Sequence, residues 1–197
     1  MDLNTMRNIV RRDLKDEDSE NYRWSDDELD RHIAHAVKDF SEAVPLPAKA
    51  TLPTTPNSRV VDISALTDRV MVEAVEHPLE QFPPCYQRFA LWGHALTLFG
   101  DEVPNGDNCN VYYGMLHTLD AQGSTIHTSH EDLVATGAEG YAAVEWANYA
   151  INRVSVGGST TPGEFLNWGN DKLKQFRSEL KRLGRRNKAR IRQLYRT

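Results

Sequence analysis

The sequence predicts an α+β protein: a helical bundle body with an inserted antiparallel β region and a long C-terminal helix. Three observations carry that expectation. Apolar residues recur at helical spacing in the first 44 residues and again from Thr128 onward. Between these stretches, residues 48–119 hold short β-branched or alternating runs separated by Pro, Gly, Asn and Asp. The chain then ends in a segment of opposite charge. Residues 172–197 contain eleven Lys/Arg and one acid, Glu179, a net charge of about +10 against about −15 for residues 1–171.

The first helix is expected over residues 3–14, where Leu3, Met6, Val10 and Leu14 form one stripe with Arg7 and Arg11 off it. Residues 13–20 then turn acidic and read as a solvated loop. The second helix, 25–44, has the firmest start signal. Ser25 and Glu28 are spaced for a capping box, and Trp24 and Leu29 for a hydrophobic staple. Leu29, Ile33, Ala36, Val37 and Phe40 continue its apolar face until Pro45 and Pro47 stop it.

Strands are expected at 48–52, 59–63, 69–76, 89–99 and 110–117, with a turn at Asn105-Gly106 between the last two. A third helix, 129–154, follows a capping-box start at Thr128/Glu131 or Ser129/Asp132. Its Ala135, Ala138, Ala142, Ala143, Ala147 and Ala150 make a small-residue surface that permits close approach of neighbours. Residues 1–155 thus read as the body. Val156 to Thr160, with Gly157-Gly158, reads as a linker. Thr161-Pro162-Gly163-Glu164 starts the last helix, within 161–197.

Phe165, Leu166, Leu173, Phe176, Leu180, Leu183, Ile191 and Leu194 fall within roughly a third of that helix's circumference. Gly169 and Asn187 interrupt the stripe. Arg182, Arg185, Arg186, Lys188, Arg190 and Arg192 crowd the other faces and are candidates for phosphate or for an acidic partner. Anchors at this spacing flanked by charge favour a protein-docking helix, since phosphate neutralisation alone needs no aligned leucines. On that reading, Asp at Leu173, Phe176 and Leu180 abolishes docking and leaves the body folded. A helix packed to its own body through the stripe, with a solvated basic face, is the plainer alternative.

Enzyme signals are sparse. His127, His130 and Glu131 lack the spacing that puts two imidazoles on one helical face, and read as exposed helix-start residues. His32 and His35 have no evident third metal ligand and read as structural or surface residues. His94 and His117 fall on expected strands. The acidic runs 16–18 and 26–28 lack the glycine and spacing of a calcium loop. No catalytic residue, metal or cofactor is expected. The 197 residues fit one domain plus an appendage, and a hydrophobic content of 40% argues against wholesale disorder. No run approaches the ~20 apolar residues that cross a bilayer, so no membrane partner is expected. The N-terminus lacks the basic and apolar regions of a secretory signal. Cys85 and Cys109 read as inert thiols of a chain made in a cytosol.

The layout resembles a known family. A short helix leads into Tyr22-Arg23-Trp24-Ser25-Asp26-Asp27-Glu28-Leu29 and a long helix closed by proline. A β-rich insertion follows with Arg59-Val60-Val61-Asp62-Ile63-Ser64 and residues 89–99. After Val111-Tyr112-Tyr113 the chain reaches Thr125-Ile126 and a small-residue helix. Over residues 3–155 this is similar to the head–tail connector (adaptor, or head-completion) proteins of tailed bacteriophages. The resemblance implies a structural virion protein, made in the host cytoplasm and assembled as a dodecameric homo-oligomeric ring. Its implied partners are the portal protein, onto which the C-terminal segment docks, a tail or stopper/nozzle protein below, and packaged DNA passing through the channel. It transfers no catalytic residue. A nucleic-acid-binding protein using the basic C-terminal helix is the alternative.

Overall fold

The computed structural model describes residues 1–100, 102–151 and 162–193; the side chains of residue 151 and of residues 188–193 lie outside that description. The fold is α+β; the described residues form four α-helices, the last of them long, and antiparallel sheets. The described residues divide into two compact units, Met1–Val44 with His117–Gly184, and Pro45–Leu116 with the end of the last helix from Arg185.

The first unit is helical. Helix α1 (Leu3–Asp13) is N-capped by Asp2, whose carboxylate accepts from the Thr5 amide at 2.7 Å. Helix α2 (Asp26–Ala43) starts with the expected capping box. The Ser25 amide donates to Glu28 Oε2 at 2.8 Å and the Glu28 amide donates to Ser25 Oγ at 3.3 Å. A small hairpin, β8 (Leu119–Asp120) with β9 (Gly123–Ser124), was not anticipated. A 3-10 turn (Thr128–His130) then leads into α3 (Glu131–Ile151). The turn is capped by His127, whose Nδ1 accepts from the Ser129 amide at 3.2 Å, in place of either expected capping box. Helix α4 is Pro162–Gln193, about 48 Å long at 1.5 Å per residue. The expected linker 156–160 and cap Thr161 lie outside the described residues.

The core of this unit is one cluster that includes Met6, Val10, Leu29, Ile33, Phe40, Val134, Ala138 and Ala142, and also Phe176, Leu180 and Leu183 of α4. Through Gly184 the last helix therefore belongs to the helical core; it is not an appendage set apart from a body of residues 1–155. Glycines set the approach of α3 to α4. A Cβ on Gly137 would lie 2.8 Å from the Phe176 ring, and one on Gly140 would lie 3.1 Å from the Leu173 backbone nitrogen. One on Gly169 would lie 3.1 Å from the Val144 backbone nitrogen. Gly169 does not interrupt an apolar face; like Gly140, it leaves no room for a side chain between α3 and α4.

Two polar expectations also change. Arg11, placed off the stripe by periodicity, is buried, and so is Asp16 from the supposedly solvated loop. The Asp16 carboxylate accepts from Arg11 Nη1 at 2.7 Å and from the Arg23 amide at 2.6 Å. Arg11 Nη2 also donates to Asp26 at 2.6 Å, so one guanidinium ties α1, the loop and the start of α2 together.

The second unit is a small antiparallel sandwich. One sheet has the order β1-β7-β3-β4, from β1 (Leu46–Pro53), β7 (Asn108–Met115), β3 (Arg69–Glu76) and β4 (Tyr86–Gln87). The other has the order β2-β6-β5, from β2 (Val60–Asp62), β6 (Ala95–Leu98) and β5 (Phe89–Trp92). Val72, Val75, Cys109 and Val111 of the first sheet pack with Val61, Leu96 and Leu98 of the second. The expected strand 89–99 is two strands. Gly93, at φ +59, opens a two-residue loop with His94 between β5 and β6, and this is the conformation a type II′ hairpin reserves for glycine. His94 thus sits in a turn, and His117 lies just past β7 in the helical unit, not on strands.

Candidate functional site

Helix α4 has two faces, and they serve different ends. Leu173, Phe176, Leu180 and Leu183 fall at helical spacing and are buried, Phe176 completely. They are core residues of their own unit. That corrects their assignment as docking anchors, because a face already covered by α3 and its neighbours offers nothing to a partner. Phe165 and Leu166 are half-buried. The Phe165 ring stacks on Trp24 at 6.2 Å and on Trp168 at 5.6 Å, and meets Trp146 edge-on at 5.2 Å. Arg23 lies over Trp146 at 4.5 Å and closes this cluster with a cation–π contact. The side chain of Ile191 and all of Leu194 lie outside the described residues.

The opposite face is exposed and basic. Lys174, Arg177, Lys181, Arg182, Arg185 and Arg186 are all exposed. Arg182 Nε donates to Glu179 at 2.8 Å, one turn back. Arg177 reaches the Tyr141 hydroxyl, whose pKa is raised by burial and by the neighbouring Asp39. Lys174 and Lys181 make no ion pair with any described residue. Seven residues apart, they stand about 10 Å from each other along the axis. Lys188, Arg190 and Arg192 carry side chains outside the description.

Beneath this helix lies a buried charge. The Glu139 carboxylate, 2% exposed, has Lys172 Nζ 2.7 Å from Oε2. This is a close charge contact without hydrogen-bond alignment, so Oε2 is left without a true donor. Burial, and to a lesser degree the Asp13 carboxyl, push the Glu139 pKa up to about 7 while Lys172 opposes the shift. Sequence reasoning had no means of finding this site, because its three members come from α1, α3 and α4.

The histidines do not converge. His32 is buried with Nε2 unpartnered, 3.6 Å from Glu145, and burial lowers its pKa. His35 stacks on Tyr141 at 4.0 Å. The His117 ring sits between the Val44 carbonyl at 2.9 Å and Thr125 Oγ1 at 3.1 Å. His127 caps the 3-10 turn, Glu131 Oε1 pairs with the Met1 ammonium at 2.9 Å, and His130 packs on Phe40 at 5.4 Å. Among the described residues no three His, Cys, Asp or Glu side chains are placed to hold a metal, and no helix is long and apolar enough to cross a membrane. Cys109 is buried, which raises its thiol pKa and keeps it protonated.

The β unit offers a second surface. Phe82 is 98% exposed and Trp92 90%, with Leu91 and Phe99 also exposed. The Phe99 amide donates to the Arg88 carbonyl at 2.8 Å. By antiparallel alternation, the backbone groups of Phe89 and Leu91 therefore point away from β6. Among the described residues no strand pairs with them. This edge carries neither the charge nor the proline that usually protects one. Only the Gly93 step could have revealed it in the sequence. No protein-family model matches the chain, and no curated protein matches it either.

Proposed function

We propose that this chain is a structural subunit of a tailed-bacteriophage head–tail connector. It forms a homo-oligomeric ring that docks on the portal, prolongs the DNA channel and presents a platform to the tail, stopper or nozzle protein. The observation that carries the reading is the order of elements. A short helix, a Trp-Ser-Asp-Asp-Glu-Leu entry into a capped helix, an inserted β unit and a small-residue helix occur in the sequence of the adaptor layout. Two surfaces fit the role: the exposed basic face of α4, and the open β5 edge with Trp92. With the apolar stripe buried, portal docking falls to the basic end of α4 at Arg185 and Arg186. Mixing the purified chain with portal and imaging the mixture tests this; the expected result is a ring stacked on one end of the portal.

The exposure of Arg182, Arg185 and Arg186 favours one second reading, a nucleic-acid-binding protein. It requires DNA affinity to fall with salt at a log–log slope of about −0.9 per phosphate neutralised. Lys/Arg→Gln changes on α4 would then reduce that slope.

A further inference from the structure

On the outer face of α4 Lys174 and Lys181, and in the loop before α2 Glu17 and Glu20, carry opposite charges that no described residue pairs. The loop is tied by hydrogen bonds at two points. At its base Asp16 accepts from Arg11 and from the Arg23 amide. At its tip Asp18 accepts from the Glu20 amide and from Asn21 Nδ2, both at 3.1 Å. Glu17 and Glu20 are exposed beside it and pair with no described residue. The Asn21 amide donates to the Asp18 carbonyl at 3.0 Å, so a turn gathers Glu17, Asp18 and Glu20 into one compact acidic patch.

We infer that the basic face of α4, at Lys174 and Lys181 with Arg177 between them, receives the acidic loop at Glu17, Asp18 and Glu20 of a second copy of this chain. Charge complementarity selects that occupant. Duplex DNA would satisfy the lysines and leave the acidic loop unexplained, and residues 1–171, at about −15, repel phosphate. A second copy satisfies both patches at once. The two patches are different surfaces, so the contact is heterologous: each copy gives its loop to one neighbour and its helix to the other, and the chain of contacts closes into a ring if the rotation permits. A pre-ordered loop loses little freedom on docking, which favours the contact further. This inference rests on the ring-forming reading and names the surfaces that join its copies.

The test is sedimentation velocity of the full chain, with K174E/K181E, with E17K/E20K, and with all four changes together. None of the four side chains is in an ion pair or in the core, so each variant should keep the parent melting profile. The parent should associate at low ionic strength and dissociate at ~1 M salt, where the screening length falls to about 3 Å. Either reversal alone should raise the dissociation constant ~10-fold or more, since like charges then face each other, and the four-fold variant should recover association. Association untouched by either reversal, or no recovery in the four-fold variant, overturns the contact. So does a parent that is monomeric at every salt concentration. If the reversed variants still form rings on portal, this contact falls and the connector reading stands. If the parent forms neither oligomer nor portal stack, both fall.

Discussion

Glu139 is a carboxyl buried in the helical unit, and its effect on stability has a definite sign. Its pKa is about 7 in the folded chain against 4.5 for a free side chain. Between those values the unfolded state releases the proton while the folded state keeps it, so stability falls as pH rises from about 4.5 to 7 and is flat above. The difference corresponds to on the order of 3 kcal/mol across that window. Urea denaturation at pH 5 and pH 8 should therefore show the parent less stable at the higher pH from this group. Glu139→Gln should remove most of that difference; an unchanged pH dependence would mean that Glu139 ionises freely in the fold. Nothing in the sequence separates Glu139 from the other acids. Its burial comes from the approach of α3 to α4, and its partners Asp13 and Lys172 are distant along the chain. Arg11 and Asp16 were missed for the same reason: a buried ion pair is set by where loops close, not by periodicity.

Elements with their own start signals were legible. The Ser25–Glu28 box set α2, and β3 occupies the expected 69–76. The alanine surface of α3 is buried as expected, with Ala138, Ala142, Ala143 and Ala147 wholly inaccessible. The break at Gly93 and the short strands β4, β8 and β9 carried too few residues to show a period. Helix α4 was legible only in part. Periodicity established that it has an apolar face but could not say whether its own chain or a partner covers that face. Because its own chain does, Phe176→Ala should cost about 3–5 kcal/mol, as for other buried aromatics, read as a lower midpoint in chemical denaturation. Asp at Leu173, Phe176 and Leu180 should unfold the helical unit; a folded triple variant would mean the stripe is not core. Gly140→Ala should cost about 1–3 kcal/mol, because the new methyl meets the Leu173 backbone.

At the scale of the whole molecule, the opposed charges divide the labour of α4. Its apolar side secures the helix to the helical unit, and its basic side is exposed. The proposed connector role would draw on both faces, one for folding and one for contacts with neighbouring chains. The aromatic β5 edge supplies a further surface of a different kind, apolar where α4 is charged. The most direct measurement is electron microscopy of portal mixed with the parent chain and with K174E/K181E. A ring stacked coaxially on the portal in the parent sample, sparse or incomplete in the variant, is what this account predicts. A parent chain that leaves the portal bare, or that coats DNA instead with a steep salt dependence, would contradict it.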